Sequence, residues 1–241
     1  MRLDKYLVEK HLVTSRNKAQ NLIKKGVVSI NSFIITNNHH EVSDYDVVEV
    51  KQVQQYVSRG AYKLLAAIEN WKIDISNKIV LDIGASTGGF SQVCLNANAK
   101  KVYAIDVGSN QIDSSLIKNK RLISYEKTNF KDLNLLMFNE QIDLIVADLS
   151  FISLTTLIDY LIQLFNYQYE AIFLIKPQFE LGKEIASKFN GVIKDPKLWN
   201  KAINKVKQHL MQNNFQVIGV IESPIKGSEG NTEFLVYCKK Q

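Results

Sequence analysis

The chain has 241 residues, of which 46% are hydrophobic and 22% are charged, an ordinary composition for a globular protein. It excludes wholesale disorder, a collagen-like repeat and a small disulfide scaffold. The formal net charge is +6, and residues 1–25 hold seven basic against two acidic side chains, so most of the excess lies in about a tenth of the sequence. A basic cluster of this kind favours a polyanionic partner.

Residues 1–51 have the pattern of a small α+β domain. Apolar residues at helical spacing predict two short helices, and β-like runs follow them. The helices contain Leu3–Val8 and Ala19–Ile23, and the strands are Val27–Ile30, Phe33–Thr36 and Val47–Val50. Either Thr14 or Ser15 supplies the N-cap of the second helix, because a short side-chain oxygen accepts from free N–H groups. Gly26 stands where a helix C-terminus favours a left-handed residue.

Residues 52–57 are predicted to be a linker, and the pattern changes from residue 58 onward. A first amphipathic helix around Ala61–Trp71 is followed by buried strand-like runs that alternate with helical stretches. The strands are Ile79–Ile83, Val102–Ile105, Leu122–Tyr125, Ile142–Ala147, Ala171–Ile175, Val217–Ile221 and Glu233–Cys238, with helices notably at 88–98, 154–165 and 196–213. This alternation predicts a parallel sheet covered on both faces, an α/β Rossmann-like domain over residues 58–241.

Several classes of protein are disfavoured by what the sequence lacks. Cys94 and Cys238 are far apart, and no CxxC or HxxxH spacing occurs, so we expect no metal site. His39 and His40 are adjacent in a polar stretch that is typical of a loop. The first residues are charged rather than apolar, and no run of 18 apolar residues occurs, so we expect neither export nor a membrane span. A reducing cytoplasm is the default expectation.

A glycine-rich turn follows the first long strand and carries the strongest local signal. The segment Asp82–Phe90 reads Asp-Ile-Gly-Ala-Ser-Thr-Gly-Gly-Phe, so its spacing is GxxxGG rather than the GxGxxG of dinucleotide binding. Asp82 disfavours a phosphate there and suits an ammonium group. Asp106 ends the next strand, where a carboxylate accepts from both hydroxyls of a ribose. The combination favours S-adenosylmethionine over NAD.

Asn129 and Phe130 follow the third strand of this domain and leave two interpretations open. They frame an adenine, or they are a loop amide and a core aromatic residue. The candidate cofactor-binding residues are Asp82, Gly84, Ala85, Ser86, Thr87, Gly88, Gly89, Phe90, Asp106, Val107, Asn129, Phe130 and Asp148.

Four charged residues lie where a parallel α/β sheet places its active site. Asp148 and Lys176 each end a strand, Lys63 lies on the entering helix and Glu233 begins the last strand. Taken singly, each of these residues has a simpler interpretation, because a charged side chain is common where the chain leaves a buried strand and becomes exposed to solvent. Taken together they suit methyl transfer to a hydroxyl, because a hydroxyl is a poor nucleophile that needs a positioned base.

Four segments of the chain resemble the TlyA (hemolysin A) family. They are Gly84–Phe90, Asp148–Ser153, Lys176–Glu180 and Ser58–Lys63. The resemblance implies an FtsJ-like domain that uses S-adenosylmethionine to methylate the 2′-oxygen of cytidine in ribosomal RNA of the small subunit, and in some members of the large subunit. It also implies a catalytic Lys-Asp-Lys-Glu set at Lys63, Asp148, Lys176 and Glu233, with Lys176 as the base, Asp148 orienting it, and Lys63 and Glu233 in supporting roles.

The N-terminal residues resemble an S4 RNA-binding domain, which implies ribosomal RNA or ribosomal subunits as the partner. The candidate RNA-binding residues are Arg2, Lys5, Arg16, Lys18, Lys24, Lys25 and Arg59. A solvated basic helix face is the simpler alternative for them. The sequence departs from the family pattern at Asn31-Ser32, where S4 hairpins often have Asn-Gly, and at Tyr62, where His is usual.

Two alternatives to RNA methylation are a membrane-active haemolysin and an RNA-binding protein without methyltransferase activity. A membrane-active haemolysin is suggested by the family's older name, but the sequence contains no strongly amphipathic membrane helix. An RNA-binding protein with a lapsed methyltransferase domain is disfavoured because both the glycine turn and the four charged residues are intact.

Overall fold

The protein is described here by a computed structural model that covers residues 1–13, 15–43, 45–50 and 56–241. The chain divides into two compact units, Met1–Gln55 and Tyr56–Gln241. Residues 52–55 of the predicted linker lie outside the described residues. Tyr56 and Val57, the other two, belong to the second unit, where the Val57 N–H donates to Gln92 Oε1 at 2.7 Å.

The first unit consists of two helices and a small antiparallel sheet. Its elements are α1 (Leu3–Glu9), α2 (Arg16–Lys24), β1 (Val28–Ile30), β2 (Phe33–Ile34) and β3 (Val48–Val50), and the strand order is β2-β1-β3. Ser15 caps α2 by accepting from the Lys18 N–H, as one of the two predicted caps, whereas Thr14 lies outside the described residues. Gly26 has a φ of 66°, the left-handed conformation predicted after α2.

The hairpin between β1 and β2 turns on Asn31 and Ser32. Their φ angles are 50° and 70°, and Ile30 pairs with Phe33 across the two-residue loop. Two consecutive positive φ values are the signature of a type I′ turn, which matches the twist of the flanking strands. Ser32 therefore accepts the conformation for which glycine is the usual residue at this position.

The second unit alternates strands and helices as predicted, with element ends that differ by a few residues. Its helices are α3 (Ala61–Trp71), α4 (Gly89–Asn96), α5 (Ser114–Ile117), α6 (Leu154–Leu164), α7 (Pro177–Glu180), α8 (Lys183–Ser187) and α9 (Pro196–Gln212). Its strands are β4 (Ile79–Ile83), β5 (Lys101–Ile105), β6 (Leu122–Tyr125), β7 (Leu144–Ala147), β8 (Glu170–Ile175), β9 (Phe215–Glu222) and β10 (Phe234–Lys240). Short 3₁₀ turns occur at Phe130–Asp132 and Leu135–Met137.

The described strands of this unit form one sheet in the order β6-β5-β4-β7-β8-β10-β9. Strand β4 lies in the middle of the sheet. On one side of it β5 and then β6 follow, and on the other side β7 and then β8. The ends of β4 and β7 therefore mark the topological switch point, where α/β proteins bind their ligands.

The prediction of a wholly parallel sheet was wrong at one edge. The strands from β6 to β8 are parallel, but β10 runs antiparallel to both β8 and β9. Phe234 pairs with Ile175, so the start of β10 lies beside the end of β8. This reversal brings Glu233 to the carboxyl edge of the parallel strands. In a wholly parallel sheet the first residue of a strand would lie at the opposite edge.

Apolar side chains cover both faces of the sheet. One face packs under α6 and α9 through residues such as Leu157, Leu161 and Val206, all fully buried. The other face packs under α3 and α4 through residues such as Leu64 and Val93. Each fully buried side chain of this size contributes about 1.5–3 kcal/mol. The two layers thus hold the strand ends, and the loops that follow them, in fixed positions.

Candidate active site and basic surface

The turn after β4 approaches the loop after β7 closely. Gly84 has a φ of 82°, and a Cβ atom there would lie 2.7 Å from the Asp148 carbonyl oxygen. Only glycine allows both the left-handed conformation and this approach. Gly89 is also closely packed, because a Cβ there would collide with the Ser58 hydroxyl. The two glycines therefore allow close packing between the turn after β4, the loop after β7 and the segment before α3, and these three segments surround one site.

Asp106 fixes the shape of the turn from the end of β5. Its Oδ2 accepts from the Ser86 N–H at 2.8 Å and its Oδ1 accepts from the Gly108 N–H at 2.7 Å. Ser86 has a φ of 49°, an uncommon value for a residue other than glycine. Each carboxylate oxygen keeps a second lone pair for a hydroxyl donor.

Two adjoining cavities open at the carboxyl edge of the sheet. The first, of about 330 Å³, is bordered by charged groups and lies between the glycine turn, the start of α3 and the loop before β10. The second, of about 300 Å³, is bordered by Asp106, Val107, Phe130 and Leu149. Gly84, Ser86, Asp148 and Ser150 border both.

The four predicted catalytic residues meet in the first cavity and form a continuous chain of ion pairs. Lys63 Nζ lies 2.7 Å from Glu233 Oε2 and 3.0 Å from Asp148 Oδ2. Lys176 Nζ lies 2.7 Å from Asp148 Oδ1 and donates to the Ser150 hydroxyl at 2.9 Å. Lys63, Lys176 and Glu233 are each at least 90% buried, so solvent does little to screen these contacts.

The charge states in this chain follow from the contacts. Burial disfavours the charged form of Lys63, but the carboxylates of Asp148 and Glu233 outweigh it and raise the pKa of Lys63. Burial likewise opposes ionisation of Asp148, yet Lys176 and Lys63 together lower its pKa below the usual value. Lys63 therefore remains a cation and Asp148 an anion at neutral pH, and Lys176 pairs with one carboxylate where Lys63 pairs with two.

Most of the predicted cofactor residues border the cavities. They are Gly84, Ala85, Ser86, Gly89, Phe90, Asp106, Val107, Phe130 and Asp148. Thr87 and Gly88 belong to the turn but border neither cavity. The Asn129 side chain is exposed and accepts from the Lys131 N–H at 3.0 Å, so it caps a 3₁₀ turn, while Phe130 faces the second cavity.

Asp82 lies beneath the turn rather than in a cavity. It is fully buried, and its Oδ2 accepts from the Ser91 hydroxyl at 2.6 Å, in the first turn of α4. Its Oδ1 is buried without a hydrogen-bond partner among the described residues. Burial raises the pKa of Asp82 to about 7, although the hydrogen bonds from Ser91 oppose this. The carboxyl group therefore stabilises the base of the turn.

Sequence reasoning missed several residues that border the site. Ser150 and Phe151 lie two and three residues after Asp148, and Phe151 is 88% exposed with a φ of 66°. Thr128 borders the second cavity, and the segment 225–228 borders the first. The positions of Ser150 and Phe151 after a strand-end aspartate were a signal for the first two. Nothing in the composition of the 225–228 loop distinguishes it from other surface loops.

The basic residues of the first unit have two different environments. Arg2 and Arg16 both donate to the fully buried Asp4, Arg2 through two nitrogens at 3.2 and 3.0 Å and Arg16 through Nε at 2.9 Å. Gln20 adds a fourth donor. Burial opposes ionisation of Asp4, but these donors lower its pKa far below the usual value. Arg16 and Gln20 of α2 therefore hold that helix to Asp4 of α1, whereas Arg2 pairs with Asp4 within the first turn of α1.

The remaining candidate RNA-binding residues are exposed. They are Lys5, Lys18, Lys24 and Lys25 in the first unit and Arg59 in the second. Arg59 borders the first cavity, close to the four-residue chain of ion pairs. These five side chains are available to a polyanion. Arg2 and Arg16 are less available, because both already donate hydrogen bonds to the buried Asp4.

The described residues contain no cluster of three or more His, Cys, Asp or Glu side chains arranged to hold a metal ion. Among the helices described for this chain, none is long and apolar enough to cross a membrane.

Two family models match the chain, an FtsJ-like methyltransferase model over residues 56–240 and an S4 domain model over residues 1–48. Hemolysin A of Brachyspira hyodysenteriae is 42% identical over 98% of this chain and 99% of its own length. The 23S rRNA (cytidine-2′-O)-methyltransferase TlyA of Campylobacter jejuni is 38% identical, with complete coverage of both chains. The 16S/23S rRNA (cytidine-2′-O)-methyltransferase TlyA of Mycobacterium tuberculosis is 36% identical over all of this chain and 90% of its own.

Solved structures agree with this result. A putative hemolysin from Lactococcus lactis has 42% identity and a TM-score of 0.75, covering 78% of this chain and 90% of that chain. A putative S-adenosylmethionine-dependent methyltransferase from Listeria monocytogenes shares the fold at 17% identity, with a TM-score of 0.56 over 76% of this chain and 98% of its own. The chain therefore belongs to the TlyA (hemolysin A) family of FtsJ-like methyltransferases, with an S4 domain preceding the methyltransferase domain.

Proposed function

We propose that the protein transfers a methyl group from S-adenosylmethionine to the 2′-oxygen of a cytidine in ribosomal RNA of the 16S type, with 23S RNA as the second candidate substrate. The observation that carries the proposal is the chain of contacts Glu233–Lys63–Asp148–Lys176, which borders the first cavity and reaches the second at Asp148. The names of the two TlyA relatives support the substrate. Action on ribosomal RNA implies that the protein works in the cytoplasm.

The two cavities suit the two ends of this cofactor. The second cavity offers the Asp106 carboxylate for ribose hydroxyls and Val107, Phe130 and Leu149 for an adenine ring. The first is bordered by backbone of the glycine turn and by Asp148, which suits the polar amino-acid end. When bound, S-adenosylmethionine supplies a methyl group activated by a sulfonium cation.

Lys176 is the base in this proposal because Lys63 is held as a cation by two carboxylates. A neutral lysine amine has two N–H groups and one lone pair. If the N–H groups donate to Asp148 Oδ1 and Ser150 Oγ, as the observed distances of 2.7 and 2.9 Å allow, the lone pair points in the remaining direction.

The reaction then needs little beyond positioning. As the methyl group joins the 2′-oxygen and its bond to sulfur breaks, the hydroxyl proton passes to Lys176 Nζ. Asp148 stabilises the resulting ammonium group, and Lys63 keeps Asp148 ionised and correctly placed. Glu233 holds Lys63 from the other side at 2.7 Å.

Nucleoside analysis of the product tests this proposal. Ribosomal subunits that lack the modification are incubated with the protein and cofactor carrying a labelled methyl group. We expect labelled 2′-O-methylcytidine in digests of the RNA, because a ribose hydroxyl needs a positioned base to become a nucleophile and Lys176 borders the cavity. Label found only on a base would contradict the proposal.

The two alternatives have separate tests. A lapsed methyltransferase domain predicts no calorimetric binding of S-adenosylmethionine, with or without RNA. The glycine turn and the intact ion-pair chain instead support binding. A membrane-active haemolysin predicts leakage of lipid vesicles by the purified protein, which we do not expect from a site built to hold a cofactor.

A further inference from the structure

Helix α9 carries a concentration of positive charge outside the S4 domain. Residues 194–212 contain five lysines and a single acidic residue, Asp195, whose side chain accepts from the Lys197 N–H at the helix N-terminus. Beyond residue 25, the chain as a whole holds 23 basic against 22 acidic side chains. The charge on α9 is therefore a local feature of an otherwise balanced domain.

Three of these lysines lie on one face of the helix. Lys197, Lys201 and Lys205 are spaced by four residues, so their Cα atoms follow one another at about 6 Å along the helix. All three are exposed, whereas Ala202, Val206 and Leu210 on the other side are fully buried. The lysine face is thus held rigidly toward solvent by the packing behind it.

Few of these charges are neutralised by the protein. Lys205 Nζ lies 3.5 Å from Glu180 Oε2, but no carboxylate lies within 4.0 Å of Lys194, Lys197, Lys201 or Lys207 in the part of the chain that the structure describes. Lysines four residues apart repel each other and weaken a helix by a few tenths of a kcal/mol per pair. The spacing therefore does not serve the stability of α9.

Polar side chains extend the lysine face into a shallow groove between α6 and α9. The groove has a volume of about 570 Å³ and is bordered mainly by hydrogen-bond donors. They are Thr155, Lys201, Asn204, Lys205, Gln208, His209 and Gln212. Groups of these types are the ones that contact phosphate oxygens in nucleic-acid complexes.

The groove is tied to the segments that carry the catalytic residues. Lys205 Nζ donates to the Glu180 carbonyl at 2.7 Å and to the Ser153 hydroxyl at 3.2 Å. Glu180 lies four residues after Lys176, and Ser153 lies five residues after Asp148. The groove therefore begins at the same edge of the sheet as the active site.

We propose that the lysine face of α9 binds phosphates of the RNA strand on which the active site acts, as an RNA contact of the methyltransferase domain separate from the S4 domain. This inference rests on the proposed function, since it takes ribosomal RNA as the substrate. Contacts of lysine with phosphate position the strand without reading its sequence.

The test is a double variant, Lys197→Gln with Lys201→Gln, measured for binding to a ribosomal RNA transcript as salt is varied. Lys205 is left in place because it packs against Glu180. The control is Lys118→Gln with Lys120→Gln, which removes the same charge from two exposed lysines at the end of α5. For single-stranded RNA each lost contact lowers the slope of log K against log salt by about 0.7, or roughly fivefold in affinity at 0.1 M salt.

We expect the α9 variant to lose affinity and slope by these amounts, with unchanged calorimetric binding of S-adenosylmethionine. Wild-type affinity and slope in the α9 variant would overturn the inference, as would an equal loss in the control. The binding assay needs no methyl transfer. Failure of the wild type to methylate ribosomal subunits would therefore refute the proposed function, while the salt slope would still decide the inference about α9.

Discussion

Replacing Lys63 by methionine removes the cation that, among the described residues, pairs with the buried Glu233. The carboxylate is 2% exposed and Lys63 Nζ is 2.7 Å from it, so the variant leaves an unpaired charge in the interior. Breaking a buried pair in this way costs about 3–5 kcal/mol. Asp148 loses the same partner but keeps Lys176 at 2.7 Å. We therefore expect the free energy of unfolding of the methyltransferase unit to fall by about this amount at pH 8.

The loss should depend on pH in a direction fixed by Asp148. In the wild type Lys63 helps to lower the pKa of Asp148, so this part of the stability is present above the usual aspartate pKa of about 3.9 and is lost as pH falls below it. The difference in stability between wild type and the Lys63→Met variant is therefore expected to be larger at neutral pH and to shrink on acidification. Adding Glu233→Gln should restore most of the stability at pH 8, because the remaining buried charges, Asp148 and Lys176, still pair with each other, but it should not restore methyl transfer.

Urea unfolding followed by tryptophan fluorescence measures this effect in one unit alone. The chain has two tryptophans, Trp71 and Trp199, and both lie in the second unit. Wild type, both single variants and the double variant are compared at pH 3 and pH 8. A Lys63→Met variant within about 1 kcal/mol of wild type at pH 8 would refute the reasoning. A double variant as unstable as Lys63→Met would also refute it.

Three further substitutions test other parts of the structure. Ser150→Ala removes the hydroxyl that accepts a hydrogen bond from the Lys176 amine. It should lower kcat by up to about tenfold, which corresponds to one neutral hydrogen bond, and leave cofactor affinity unchanged. Ser150→Thr, which keeps the hydroxyl, should retain activity. Gly84→Ala places a Cβ 2.7 Å from the Asp148 carbonyl oxygen at a φ of 82°, so calorimetry should find weakened cofactor binding. Asp4→Asn should destabilise the S4 unit at pH 7, which hydrogen exchange of that unit would report. Because the pKa of Asp4 is lowered in the wild type, its ionised carboxylate stabilises this unit above about pH 4, and this stabilisation should disappear on acidification. Wild-type kcat in Ser150→Ala, unchanged cofactor affinity in Gly84→Ala, or unchanged exchange in Asp4→Asn would contradict the corresponding contact.

Local patterns predicted the helices and strands well, because each of these elements depends on nearby residues. The strand at Ile79–Ile83, the left-handed Gly26 and the cap at Ser15 all follow from short-range chemistry. The meeting of Lys63 with Glu233, 170 positions later, was implied by family resemblance and not by spacing. Its physical basis is the antiparallel direction of β10, which no local pattern encodes.

The positions of the cofactor residues were harder to predict because sequence does not show which way a side chain faces. Asp82 was expected to face the ligand but is buried beneath the turn. Asn129 has its amide oxygen used by the Lys131 N–H. The sequence-based prediction also did not include the positive charge on α9. The net charge of residues 26–241 is close to zero, and this sum does not show that one helix is cationic.

We propose that Lys176 accepts the proton of the ribose 2′-hydroxyl in a site held by Asp148, Lys63 and Glu233. The most direct measurement is mass-spectrometric mapping of ribose methylation on ribosomal subunits after single-turnover reaction with wild type or Lys176→Ala. Calorimetric binding of S-adenosylmethionine by both proteins serves as the control for folding. We expect the wild type to yield 2′-O-methylcytidine, and the variant to bind the cofactor and lose the product by about 10²–10⁴-fold. Equal ribose methylation by the two proteins would contradict the claim.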